Sequence, residues 1–160
     1  MSIIEFYKSS KFDEILSMNH EDLENKHDYI QLLFPIDTLS IYNPDAPLIT
    51  QDVIDKFIES PYLQFLMIRA LSMMLNFYGL QLLQIKKTPI NKIIIVKGRN
   101  FNQRSKIWMR PGNHNYKRLT RIMRSLKLVG LYHYSEALRN TLLSLDDIND
   151  NQARDFWLKS

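Results

Sequence analysis

Apolar residues fall at helical spacing over most of the chain, and the breaks between runs are sharp. Ser2 and Glu5 stand in capping-box order, which predicts a short helix at the N-terminus. From about Asn19 to Phe34, Leu23, His27, Ile30 and Phe34 share one helical face, and Pro35 ends the run. Ile36 to Pro47 holds Asn43, Pro44 and Pro47 and reads as a loop. Thr50 is placed to cap a helix carrying Val53, Ile54, Phe57 and Ile58. Ser60-Pro61 supplies a second cap with proline at the first helical position. The long apolar helix that follows reaches Tyr78, where Gly79 can close it.

The period then changes. Leu80, Leu82 and Gln84 alternate with their neighbours, and Ile93 to Val96 is rich in β-branched residues. Thr88-Pro89-Ile90-Asn91 lies between them with turn chemistry. The pattern predicts a β-hairpin near residues 80–97, with a broken helix as the alternative. Pro111-Gly112-Asn113 marks a turn, and Asn113 or Asn115 can cap a helix that ends before Gly130 and buries Leu119, Ile122, Met123 and Leu126. Helices over about Ser135–Leu145 and Asp150–Leu158 complete the chain. The expected fold is mainly α: a single domain over residues 1–160, a bundle of six to seven helices with one small hairpin.

Length and composition narrow the class. A chain of 160 residues with 45% apolar content can bury a core without covalent staples. The absence of Cys removes disulfides, thiolate metal sites and a Cys nucleophile. With four Gly there is no phosphate-cradling glycine motif. Glu5, Lys8 and Lys11 interrupt any signal-like opening, and Arg69 breaks the most apolar stretch, Tyr62–Leu75. The expectation is therefore a cytoplasmic protein with no transmembrane segment.

Charge changes the picture more. The segment Lys86–Ser135 contains thirteen Lys and Arg and no Asp or Glu, whereas the remainder has 8 basic and 17 acidic residues. Phe101, Trp108, Tyr116, Tyr132 and Tyr134 lie among these cations, and aromatics interleaved with cations can hold single-stranded nucleic acid. Lys117, Arg121 and Arg124 oppose the apolar stripe of their helix and are the candidates for a polyanion. The simpler alternative is a solvated helix face with some cations paired to the acidic remainder. Arg118 sits at the stripe's edge and is expected to pair inward; Arg121, farther round, is expected to face solvent or a partner.

Catalytic chemistry finds little support. His20, His27, His114 and His133 lack metal-ligand spacing, no G-x-S-x-G elbow occurs, and Asp146 and Asp147 read as solvated or capping loop residues. No catalytic residue, metal or cofactor is assigned. An enzyme would need His27 or His114 in a pocket beside a perturbed partner.

Several strings carry a resemblance. They are Glu5-Phe6-Tyr7-Lys8, His27-Asp28-Tyr29-Ile30-Gln31-Leu32-Leu33-Phe34-Pro35, Asn43-Pro44-Asp45-Ala46-Pro47-Leu48 and Leu75-Asn76-Phe77-Tyr78-Gly79. Further on come Asn100-Phe101 with Arg104, the run from Asn113-His114-Asn115-Tyr116-Lys117-Arg118 to Gly130-Leu131, and Phe156-Trp157. In this order they resemble the conserved domain of the opioid growth factor receptor family along nearly the whole chain. The resemblance implies a soluble, mainly helical domain unrelated to the seven-helix opioid receptors. In vertebrate members that domain belongs to a receptor for Met-enkephalin found at the nuclear envelope and in the nucleus. The chain stops just after the conserved region, so a stand-alone member without the C-terminal repeats is expected.

The favoured function is a non-enzymatic module that binds a peptide or protein segment; polyanion binding is the alternative. The ligand candidates are Tyr29, Gln31, Arg104, Trp108, His114, Asn115, Arg118 and Arg121. Tyr29 can anchor a buried hydrogen bond, and Asp28 can meet a cation of the basic helix or act as a cap. Because a free peptide N-terminus is cationic, the groove is expected to be apolar and acidic.

Overall fold

A computed structural model describes residues 1–87, 90–145 and 150–160. Its centre is an 18-residue helix, Pro61–Tyr78, which buries Leu63, Leu66, Met67, Ala70, Leu71, Met74, Leu75, Phe77 and Tyr78 and leaves one stripe, Tyr62, Phe65, Arg69, Ser72 and Asn76, exposed. Ser60 Oγ accepts from Leu63 N at its start, Pro61 occupies the first turn, and Gly79 ends it at φ 78°. Numbered in chain order, the helices are α1 (Ile3–Tyr7), α2 (Ser10–Leu16), α3 (His20–Asn25), α4 (Tyr29–Leu33), α5 (Gln51–Glu59), α6 (Pro61–Tyr78), α7 (Phe101–Trp108), α8 (Asn115–Leu128), α9 (Tyr132–Ser144) and α10 (Asn151–Lys159). Strands β1 (Leu80–Lys87) and β2 (Ile90–Lys97) pair antiparallel from Leu80↔Lys97 onward.

The fold is mainly α with a small hairpin, as the periodicity predicts. The ten helices among the described residues exceed the expected six to seven for local reasons. Ser10–Leu16 and Phe101–Trp108 form helices that the pattern did not mark. The predicted helix over Asn19–Phe34 is two helices, because Lys26 adopts an extended conformation (φ −86°, ψ 143°). The break releases carbonyls at the end of α3, and side chains from elsewhere satisfy them. Thr50 stands at the start of α5 without a side-chain cap bond. The Ser2–Glu5 capping box is present in both directions. The Thr88-Pro89 turn and the Asp146 and Asp147 reading lie outside the described residues.

The core is one cluster. Leu119, Ile122, Met123 and Leu126 of α8 are fully buried, together with Met67, Ala70, Leu71 and Met74 of α6. An edge-to-face series runs Phe77–Tyr78–Trp108–Tyr116–Trp157 and ties α6, α7, α8 and α10 together. The hairpin leans on α9, where Thr141 Oγ1 donates to Ile95 O at 2.7 Å.

The basic segment has a structural use that its charge alone does not reveal. The last carbonyls of a helix lack partners within it and carry partial negative charge, so cationic donors suit them. Asn100, Arg104 and Trp108, four apart along one face of the α7 region, cover the end of α6: Asn100 Nδ2 donates to Asn76 O (3.1 Å), Arg104 Nε to Phe77 O (2.7 Å) and Trp108 Nε1 to Tyr78 O (2.9 Å). Arg110 does the same for α7 through Lys106 O, and Arg154 for α9 through Leu143 O.

Candidate functional site

Helix α8 lies beneath the loop that follows α4, and a groove of about 780 Å³ runs between them. Ile30, Ile36, Leu39, Ile41 and Tyr42 give it an apolar wall. Three of these are strongly exposed: Leu39 at 71%, Ile41 at 90% and Tyr42 at 76%. Its floor carries Lys117, Thr120, Arg121 and Arg124, with His27, Gln31, His114 and Arg118 at one end. None of its lining residues is Asp or Glu, so the expected acidic lining is replaced by a basic one. The reason is the spacing on α8, which sets its cations beside the apolar stripe and under the loop.

Arg118 is almost fully buried and serves as the joint between α8 and the α3–α4 break. Its Nη1 donates to Leu23 O (2.8 Å), Tyr29 Oη (3.3 Å) and Asn115 Oδ1 (3.3 Å). Its Nη2 reaches Lys26 O (2.8 Å) and His27 Nδ1 (3.1 Å). The inward pairing is thus with carbonyls at a helix C-terminus, not with a carboxylate. Tyr29 donates to Leu23 O at 2.8 Å, the buried anchor expected of it, and burial pushes its phenol up to about 12. Behind them, Tyr78 Oη donates to Asn115 Oδ1 (3.3 Å), and Asn115 Nδ2 donates to Glu24 Oε2 (3.2 Å). Gln31, with its amide turned to donate, reaches His27 O (2.7 Å) and Asp28 O (3.1 Å). Asp28 is exposed and has no ion pair or cap bond among the described residues, because Arg118 takes the carbonyls instead.

His114 and His27 meet edge to face at 5.6 Å, and His114 Nε2 lies 3.4 Å from Glu24 Oε1. Burial lowers the pKa of His114 below its ordinary 6.5, Arg118 adds to the effect, and the opposing pull of Glu24 does not overcome them. A pKa lowered from 6.5 favours the neutral imidazole at pH 7.

Arg121 differs from its expected outward position. It is half-buried, and Nε donates to Phe34 O at 2.8 Å, capping the end of α4. Its two Nη atoms have no protein partner among the described residues. Arg124 is held by Asp37 through Nε (3.0 Å) and Nη2 (2.6 Å), and Lys117 Nζ contacts Tyr42 Oη at 2.5 Å. The groove thus gathers Gln31, His114, Lys117, Arg118, Arg121 and Arg124, with Tyr29 and Asn115 directly behind. Arg104 and Trp108 are absent from its lining and belong to the α6 terminus. Sequence reasoning passed over Leu39, Ile41 and Tyr42, although large apolar residues in a proline-containing loop are themselves a signal.

Residues 6–154 match the model of the opioid growth factor receptor conserved region. The chain belongs to this family. Relatives in it include the mouse opioid growth factor receptor, 34% identical over 120 residues, which cover 75% of this chain and 18% of that protein. The human opioid growth factor receptor is also 34% identical, over 75% of this chain and 17% of its own length. Mouse opioid growth factor receptor-like protein 1 is 29% identical over 89% of this chain and 32% of that protein. The chain therefore spans under a third of each of these relatives. No solved structure matches it. The strings that carry the family resemblance now have physical content: Tyr29, Gln31, Asn115 and Arg118 build the α3–α4–α8 joint, and Asn100 and Arg104 cap α6.

Proposed function

We propose that this receptor-family domain, residues 1–160, is a non-enzymatic module that binds a peptide or protein segment in the groove between α8 and the 36–42 loop. The observation that carries the reading is the exposure of Leu39, Ile41 and Tyr42 along the rim of a concave site. Ligand sites are commonly clefts of roughly 300–1,000 Å³ with apolar lining and a few placed polar groups, and this groove falls in that range. The relatives' names, which denote a receptor for a growth factor, support a binding role over a catalytic one. Among the described residues no helix is long and apolar enough to cross a membrane, and residence in the cytoplasm is part of the proposal.

The test is selection from a displayed library of random peptides on the wild-type domain and on a Leu39→Ser/Ile41→Ser double variant. Both positions are largely exposed, so the variant should melt like the wild type. Enrichment of related peptides on the wild type alone supports the groove; equal enrichment on both forms, or none, overturns it. Met-enkephalin is a defined probe for calorimetry, and no heat at millimolar peptide removes that pentapeptide from the ligand class.

A further inference from the structure

We infer that the segment held in this groove is acidic: a carboxylate flanked by apolar side chains, seated on the open fork of Arg121. The inference rests on the groove reading above and names the chemistry of its ligand. Arg121 is fixed at Nε by Phe34 O, which aims the guanidinium, while Nη1 and Nη2 keep no protein partner among the described residues. The group is half-buried beside apolar side chains, where burial pulls its pKa down to about 10. It stays charged at neutral pH, but its charge is poorly solvated. A carboxylate matches that planar fork with two parallel hydrogen bonds.

The surroundings favour the same ligand. Lys117 lies one turn before Arg121, the lining contains no Asp or Glu, and Asp37 just outside it is taken up by Arg124. A cationic peptide N-terminus would be repelled there. A nucleic acid suits the site less well. Polyanion binding needs many available cations, but on α8 Arg118 is engaged by carbonyls, and Arg124 and Lys127 by Asp37 and Glu136. A phosphodiester chain would also leave the rim of Leu39 and Ile41 uncovered, whereas apolar neighbours of an acidic residue would bury it.

The experiment extends the library selection. Peptides retained by the wild type should be enriched in Asp or Glu beside Leu, Ile or Phe. One retained peptide is resynthesised with its acid intact and with Glu→Gln or Asp→Asn. Loss of a charge-assisted pair should weaken binding roughly tenfold or more. Arg121→Gln should produce a similar loss with the acidic peptide, and no further loss when the peptide's acid is also removed. If Arg121→Gln does not melt cooperatively, Lys117→Gln, at an exposed position, and the peptide substitution, which leaves the protein untouched, carry the test. Retained peptides without acidic enrichment, or insensitive to loss of their acid, overturn the inference while leaving the groove reading intact. Failure to retain any peptide overturns both. Displacement of the bound peptide by a single-stranded oligonucleotide that binds more tightly and depends on Arg121 overturns it in favour of a polyanion.

Discussion

Arg118 reaches the carbonyls of Leu23 and Lys26 from a position where it is only 6% exposed, so its removal leaves Leu23 O with Tyr29 alone and takes the side-chain donor from the part-buried Lys26 O. Arg118→Met keeps the apolar stem and removes every donor. Leaving a buried polar group unsatisfied costs about 1–3 kcal/mol, so the expected loss is roughly 3 kcal/mol by urea denaturation. Arg118→Lys should recover only part of it, because an ammonium cannot span both carbonyls and Tyr29 from one fixed fork. Tyr29→Phe, which keeps the ring and deletes the buried bond to Leu23 O and the longer one from Arg118, should cost about 1–2 kcal/mol.

His114, beside the same joint, sets a pH dependence. Its folded pKa lies below the unfolded value, so the unfolded chain binds the proton more readily. The stability it contributes is present above pH 6.5 and is lost as pH falls from there through the lowered folded value. Glu24, His27 and Arg118 face it. The urea midpoint should therefore drop between neutral pH and the folded pKa of His114, and His114→Gln should flatten that part of the profile. An unchanged slope in the variant would assign the dependence to other groups.

Element boundaries depend on a few glycines. Gly79 ends α6 at φ +78°, and a Cβ there would stand 2.7 Å from Phe101 Cα, a backbone atom that cannot yield. Gly112 has a similar φ of +72° but open space around it. Left-handed backbone costs a non-glycine residue about 1–2 kcal/mol, so Gly112→Ala should cost about that much. Gly79→Ala should cost distinctly more, since strain and overlap combine; thermal melts of the two variants give the comparison. Equal losses would mean that α7 shifts freely away from α6.

The same boundary shows what the sequence makes legible. Gly79 and the Ser60-Pro61 pair announce α6 because their effects are local, and the hairpin follows from alternation and β-branching. The α8 stripe is equally plain, because Leu119, Ile122, Met123 and Leu126 repeat at helical spacing. The split between α3 and α4 is not legible, since periodicity runs across Lys26 and the compensating donor is Arg118, more than ninety residues away. Arg121 misleads for the same reason: its angle on α8 points outward, but the chain after α4 folds over it. The candidate site was half visible. Its cations stand out by type, whereas the wall of Leu39, Ile41 and Tyr42 is defined only once the loop is placed.

At the scale of the whole molecule, the segregated charge is largely an arrangement for joining helices end to side. Cations of the basic segment close the C-termini of α3, α4, α6 and α7, so neutral carbonyls take much of the role that acidic partners were expected to play. The groove wall is attached differently. Beyond Pro35, whose carbonyl accepts from the buried Ser125 Oγ, its links to α8 among the described residues are exposed ones, Arg124 to Asp37 and Lys117 to Tyr42, and Leu39, Ile41 and Tyr42 are themselves exposed. Regions with few buried contacts open locally at lower free energy than the core. Asp37→Asn should thus change global stability by less than about 1 kcal/mol, the usual range for an exposed ion pair. It should also speed hydrogen exchange of the Ala46 and Ile49 amides, which are bonded to Asn43 O and Ile36 O within that wall. Amides of α8 should keep their protection. If they exchange faster to the same degree, the loop and α8 open as one unit, and the wall is part of the core instead of a rim able to adjust around a ligand.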